Sequence, residues 1–479
     1  MHFQIRQLLI FAAMLIATVA SAQNDQWQLK VSDNNRYIVH ADGSPFFWLG
    51  NTSWLMPHRL NREEVHYYLT REKAAGYNVE QIQLINAIPT FNIYGQQAND
   101  ETFECEKFCI DGVYDFWDHL DYIINEAAHN GIYIAIDCVW GSQIKAMDVD
   151  KARKLGAFLA NRYKNFPNII WLIGGDIRGD KGTESWDALA RAIRAIDSKH
   201  LMTFHPRGRT TSAWWFNDRE WLDFNMFQSG HRRYGQRNGD GDYTIAENTE
   251  EDNWRYVGMS LKDGKLTHPI IDGEPSYEDI PQGLHDFSAP RWQACDVRRY
   301  AYWAVFGGCF GHTYGHNSIM QMIRPGLLAS FGAEKPWWDA LNDPGQNQMK
   351  YLKALMLALP FTERVADQSV ISGNEGERYD RLCATRGNDY LMVYNYSGRT
   401  MDIDLSKVKG KQKNVWIFNP SDGSLNYLGK YENKTTQFAP DGGYLNANAD
   451  RVLIAIDAQK DYIPTNAANI MEVNKNSSK

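Results

Sequence analysis

Between Pro45 and Pro360 the sequence switches eight times from a short apolar run to a helix-like segment, and this rhythm restricts the fold more than any single motif. The strand-like runs include P-F-F-W-L-G-N-T-S-W, V-E-Q-I-Q-L-I, I-Y-I-A-I-D-C-V-W and N-I-I-W-L-I-G-G-D. They continue with L-M-T-F-H-P-R-G, L-D-F-N-M-F-Q-S-G, H-P-I-I-D-G-E and C-F-G-H-T-Y-G. Strands that alternate with helices lie parallel and are buried on both faces. Eight units over about 315 residues predict a (β/α)8 barrel. A doubly wound sheet would carry a glycine-rich phosphate loop after its first strand, and G-N-T-S-W is not one. The spacing predicts a helix opened by Asn61 and stopped by Gly76. The hairpin W-Q-L-K-V-S-D-N-N-R-Y-I-V-H is expected to cap the bottom of the barrel.

After residue 366 the texture changes to short alternating strands separated by N-D, S-G and D-G turns, which predicts a small antiparallel β-sandwich. The first residues combine a basic start, a short apolar run and A-S-A, the pattern of a signal peptide cleaved after Ala22. The expected organisation is a signal peptide over 1–22, a catalytic barrel over 23–365 and a sandwich over 366–479, in an exported, periplasmic or extracellular protein. No other segment is apolar enough to span a bilayer, so no membrane insertion is expected after cleavage. With 479 residues, a net charge of −8 and a pI near 5.9, the chain offers no basic field for nucleic acid. The six cysteines match no zinc spacing; Cys105 and Cys109 are placed to pair in a loop, while Cys138 and Cys309 look like buried thiols.

Two of the strands end alike. W-L-I-G-G-D runs into glycine and Asp176, and P-I-I-D-G-E into glycine and Glu274. The carboxyl ends of barrel strands carry catalytic groups. Two acids across a barrel mouth suit glycoside cleavage, one protonating the leaving oxygen and the other supporting the oxocarbenium-like centre. A separation of about 5–5.5 Å would make the second a nucleophile, and a wider gap would admit water and invert configuration. The bland alternatives are that Asp176 caps the next helix and that Glu274 pairs with an arginine.

Around these acids, Trp54, Trp140, Trp214, Trp215 and Tyr314 offer apolar faces for sugars. Asp137, His205, Gln228, His231 and His316 supply polar groups where strands end. Arg207, Arg209, Arg232, Arg233 and Arg237 fall on the loops after strands five and six, where they either clamp a carboxylate or pair with the acids of E-N-T-E-E-D. His312 and His316 lack a third ligand at a recognisable spacing, so no metal and no other cofactor is expected.

Together F-F-W-L-G-N-T-S-W, W-L-I-G-G-D, I-I-D-G-E-P-S-Y-E and G-H-T-Y-G-H-N-S-I-M-Q-M resemble glycoside hydrolase family 140 over nearly the whole mature chain. That family consists of apiosidases with a (β/α)8 barrel and a C-terminal collagen-binding-type sandwich. The resemblance implies that Asp176 is the general acid/base and Glu274 the nucleophile. It also implies a pectin substrate, rhamnogalacturonan II, cut between apiose and backbone galacturonic acid. In one respect the chain departs from the wider clan of retaining barrel glycosidases, which carry an asparagine–glutamate pair where this chain has Gly175 and Asp176. Alternatives are a barrel glycosidase on arabinofuranosides, galactan or mannan, a non-catalytic carbohydrate-binding protein, and a metal hydrolase.

Overall fold

A computed structural model describes residues 26–236, 251–446 and 448–476. The expected signal peptide and Arg237 lie outside the described residues. The chain opens with the antiparallel hairpin β1 (Leu29–Val31) and β2 (Ile38–His40). Parallel strands follow: β3 (Trp48–Thr52), β4 (Val79–Ile85), β5 (Tyr133–Val139), β6 (Ile169–Ile177) and β7 (Met202–Pro206). After the short β8 (Thr210–Thr211) come β9 (Asn225–Gln228), β10 (Ile270–Asp272) and β11 (Gly311–Tyr314).

Six of these strands form one parallel half-barrel sheet in the order β11-β3-β4-β5-β6-β7. The continuous eight-strand ladder expected from the sequence is not what the hydrogen bonds form. β9 and β10 pair in parallel with each other, and β8 adds antiparallel to β9. Both strands are short, and single backbone bonds tie them to their neighbours: Asp223 N to Met202 O (2.9 Å) beside β7, and Phe310 N to Ile270 O (3.0 Å) beside β11.

Side-chain alternation decides which residues build which layer. On β5, Ile134 and Ile136 join the core beneath the helices, whereas Tyr133 and Ala135 point into the core enclosed by the sheets, with Leu49, Val79, Leu172, Met226 and Ile271. The helix Arg62–Ala75 begins at an Asn61/Glu64 capping box and stops at left-handed Gly76 (φ 93°), the boundaries predicted from sequence. Asp115 opens the helix Phe116–His129 with a capping box to Asp118, and the Asp148 side chain caps Val149–Tyr163 by accepting from Asp150 N and Lys151 N. Among the described residues no helix is long and apolar enough to cross a membrane.

The C-terminal region is a six-stranded antiparallel sheet built from β12 (Val365–Ala366), β13 (Leu382–Arg386), β14 (Tyr390–Asn395), β16 (Gln412–Phe418), β17 (Leu425–Glu432) and β19 (Arg451–Asp457). A ribbon of β15 (Met401–Asp404) and β18 (Thr435–Phe438) covers one face, over Leu391, Val393, Val415 and Leu453. The other face, with Met392, Tyr394, Trp416 and Ile454, shares a core with Tyr302 and Phe306 of the helix Ala294–Gly307. Arg298 of that helix is fully buried and donates to Asp450 through Nε (3.0 Å) and Nη2 (2.7 Å). Next to it, Arg299 lies 2.7 Å from Glu251 and within about 5 Å of the rings of Trp303, Tyr300, Tyr379 and Tyr396.

Candidate active site

The two glycine–acid endings meet at one cavity of about 540 Å³ at the carboxyl ends of the parallel strands. Its lining includes Trp54, Gln83, Trp140, Asp176, Arg207, Arg209, Gln228, His231, Arg232, Glu274 and Tyr277.

The glycines have specific reasons. β6 pairs Gly174 with His205 but Ile177 with Pro206, so Gly175 and Asp176 bulge out of the ladder. Gly174 (φ 105°) and Gly175 (φ 96°) adopt left-handed backbone, and a Cβ on Gly175 would sit 2.7 Å from Asp137 Oδ2 and 2.6 Å from the Trp140 ring. Asp176 itself is held at φ 49°, an uncommon conformation that aspartate tolerates better than most residues. Beyond β10, a Cβ on Gly273 would meet Met226 Sδ at 2.3 Å, so glycine there lets the strand end pass the Met226 side chain without displacing it. Asp272 accepts from Ser229 Oγ and from Asn253 Nδ2 (3.1 Å), and the Glu274 carbonyl accepts from Ser229 N (3.1 Å) and Gly230 N (3.0 Å). The loop after β9 is therefore fastened to the strand end that carries Glu274.

The two acids sit in opposite electrostatic surroundings. Burial alone would raise Glu274, but His205 and His231 outweigh it and hold its carboxyl down at about 2. His231 Nε2 is 3.0 Å from Oε1 and His205 Nε2 is 3.3 Å from Oε2. The Asp176 backbone N–H donates to His205 Nδ1 (3.3 Å), which leaves that ring's proton on Nε2, toward Glu274. Asp176 is open to the cavity but walled by protein. Its desolvation and the charge of Glu274 raise it to about 6, against the opposing pull of His205 and Arg207. The surroundings thus favour the proton on Asp176 and the charge on Glu274.

Asp176 does not cap a helix: the next one, Thr183–Ile196, begins after Gly182. Glu274 is paired by histidines rather than by an arginine. Trp54, Trp140, Arg207, Arg209, Gln228, His231 and Arg232 line the cavity with the two acids. His205 stands just behind, its ring 5.2 Å from Trp54. Asp137 lies beneath Gly175, fully buried, with burial pushing its carboxyl well above the usual range.

Other expected residues fall outside the lining. Tyr314 donates to buried Glu278, and His316 spends Nδ1 on Ser318 N (3.0 Å) and Nε2 on Asp343 (2.8 Å). Trp214 packs on Trp215, whose ring lies under Arg178, and Arg233 N bonds Gln236. Cys105 and Cys109 are unbonded thiols. Among the described residues no cluster of three His, Cys, Asp or Glu is arranged to hold a metal ion.

Sequence reasoning missed Tyr277, Gln83, Ile280, Leu284, Met320 and Phe331. Tyr277 had a signal, since it follows Glu274 by three residues, and its ring lies 4.7 Å from that of His231. Gln83 had one too, as one of three polar residues, with Glu80 and Gln81, in a strand that is buried throughout. Leu284 and Phe331 sit on loops of no periodicity.

A cavity at the carboxyl ends of parallel strands with two carboxyls in opposite electrostatic surroundings is an arrangement that glycoside hydrolases use. Over residues 32–363 the chain matches the family "Apiosidase-like, catalytic domain", and it belongs to that family. Residues 365–456 match "Putative collagen-binding domain of a collagenase". A solved structure described as a glycoside hydrolase family 5 protein from Bacteroides vulgatus ATCC 8482 is 61% identical, with a TM-score of 0.91, over 94% of this chain and 98% of that one. A second, described as a glycoside hydrolase, is 60% identical with a TM-score of 0.89, over 91% of this chain and 98% of that one. No curated protein matches the sequence.

Proposed function

We propose that the protein is an apiosidase that removes apiose-linked side chains from rhamnogalacturonan II, cutting between apiose and galacturonic acid. The observation that carries the mechanism is the division of labour at the cavity: Glu274 held ionised by two histidines, Asp176 raised by burial and by Glu274 itself. In the proposed cycle Asp176 protonates the glycosidic oxygen while Glu274 attacks the anomeric carbon. Asp176, now ionised, then takes a proton from water, which displaces Glu274 and leaves the configuration retained. The family match supports the sugar, and Arg207, Arg209 and Arg232 in the cavity of a net acidic chain support an acidic aglycone.

In this reading the two adjoining parallel sheets act as one (β/α)8 barrel over residues 23–365, residues 366–479 form the sandwich, and 1–22 direct export to the periplasm or the outside. The buried Arg298–Asp450 contact supports a bracing role for the sandwich. The test is product analysis of rhamnogalacturonan II side-chain oligosaccharides incubated with the full chain. Release of fragments ending in reducing apiose is expected. Release only from arabinan, galactan or mannan would replace the substrate, and binding without any release would replace the enzyme with a binding protein.

A further inference from the structure

Among the described residues, twelve that are not glycine hold φ in the left-handed region. Asp176, Arg209, Leu284 and Phe331 are at the cavity, but Arg378 (φ 51°) belongs to the C-terminal region, in the turn before β13. Backbone of this kind persists where its surroundings over-determine it. Here the surroundings include the loop after β9, which walls the cavity.

That loop, residues 229–236, is fastened at its near end to the strand end that carries Glu274. Ser229 N and Gly230 N donate to the Glu274 carbonyl, His231 Nε2 lies 3.0 Å from Glu274 Oε1, and Arg232 follows in the cavity lining. Tyr234, two residues on, lies outside the lining and meets the sandwich instead. Its ring is 5.3 Å from that of Tyr379, and the guanidinium carbon of Arg378 sits 5.0 Å from its centroid.

The loop backbone is held as well. Tyr234 N donates to Glu251 Oε1 (2.8 Å), and the Tyr379 hydroxyl donates to the same oxygen (3.2 Å). Glu251 is buried with Arg299 2.7 Å away, and Arg299 lies 4.7 Å from the Tyr379 ring centroid. One carboxylate therefore joins the backbone of a cavity loop to a side chain of the sandwich. A buried ion pair is costly to disturb, so this junction fixes where the far end of the loop can sit. Arg298, one position earlier on the same helix, bonds Asp450 and Asn448 of the sandwich instead.

We propose that Arg378 and Tyr379 are positioning residues for the reaction: through Tyr234 and Glu251 the sandwich holds loop 229–236 where His231 meets Glu274 and Arg232 walls the cavity. The effect on rate rests on the glycosidase reading above; the hold on the loop does not.

The test compares full-length Tyr379→Ala, Tyr379→Phe, Arg378→Ala and Arg298→Ala proteins. Two readouts are used: amide hydrogen exchange across residues 229–236, and the pH dependence of kcat and kcat/KM on rhamnogalacturonan II side-chain oligosaccharides. In Tyr379→Ala and Arg378→Ala, exchange in that segment should accelerate about tenfold and kcat should fall about tenfold or more, because small misplacements at a reacting centre are costly. The groups facing Glu274 are Asp176, His205, His231 and Tyr277. Loss of the His231 contact raises the Glu274 carboxyl, which must be ionised, so the acidic limb should move to higher pH in both variants. Tyr379→Phe keeps the ring and should retain most of the rate. Arg298→Ala should lose stability with exchange in 229–236, kcat and the acidic limb unmoved.

Faster exchange with kcat and the acidic limb unchanged would reduce the contact to a structural one and overturn the positioning role, as would unchanged exchange. If Tyr379→Ala does not fold, Arg378→Ala, whose side chain is exposed, decides by the same readouts. If the wild-type protein releases no apiose while exchange accelerates in the variants, the apiosidase reading falls and the hold on the loop stands.

Discussion

Arginines gather at two places in this molecule, with different surroundings. At the cavity, beside two acids, Arg207 is exposed, Arg232 half-buried and Arg209 buried. On the helix that faces the C-terminal sheet, Arg298 and Arg299 are fully buried, one bonded to Asp450 and the other enclosed by aromatic rings and Glu251. A buried charge that loses its partner costs far more than an exposed one. The second group is therefore committed to holding two regions together. The first lines the cavity, where the charge of Arg207 also lowers the Asp176 carboxyl.

This contrast can be broken by substitution, beginning with the acids that the cavity arginines serve. Glu274→Gln is expected to abolish turnover, and Asp176→Asn to lower it roughly 10²–10⁴-fold, with Tm preserved in both; folded, active variants would refute the site. Arg298→Ala should cost about 3–5 kcal/mol in chemical denaturation, because Asp450 is left buried and unpaired. Activity per folded molecule should survive. A stable Arg298→Ala protein would show that the interface is not a brace.

The pH profile gives the next test. Asp176 must be protonated, so kcat/KM should fall as pH rises through about 6, while Glu274 remains ionised down to about 2. Arg207 lowers the Asp176 value, so Arg207→Gln should move the alkaline limb upward with no change in Tm. A downward or absent shift would separate Arg207 from the acid. The smallest effect is expected from Trp214→Ala, which lies outside the cavity lining and should leave kcat/KM unchanged within about 0.5 kcal/mol.

Much of this was legible in the sequence where periodicity or strand-end chemistry spoke. Alternation gave the parallel strands, Asn61 and Gly76 gave one helix its limits, and glycine before acid marked both carboxyls. The broken ladder at β9 and β10 was not legible, because a short apolar run does not state which neighbour it bonds. Tyr314 and His316 carried the right chemistry at a strand end, yet side-chain direction turned them toward Glu278 and Asp343. Leu284 and Phe331 were invisible because backbone strain in a loop leaves no pattern in residue type.

The most direct test of the central claim is a Glu274→Ala protein assayed with and without azide on an apiose-linked oligosaccharide. If Glu274 is the nucleophile, turnover lost on substitution should return with azide, and the product should be a glycosyl azide of configuration opposite to that of the wild-type product. A Glu274→Ala protein that stays active without azide, or yields only hydrolysed sugar in its presence, would contradict the account.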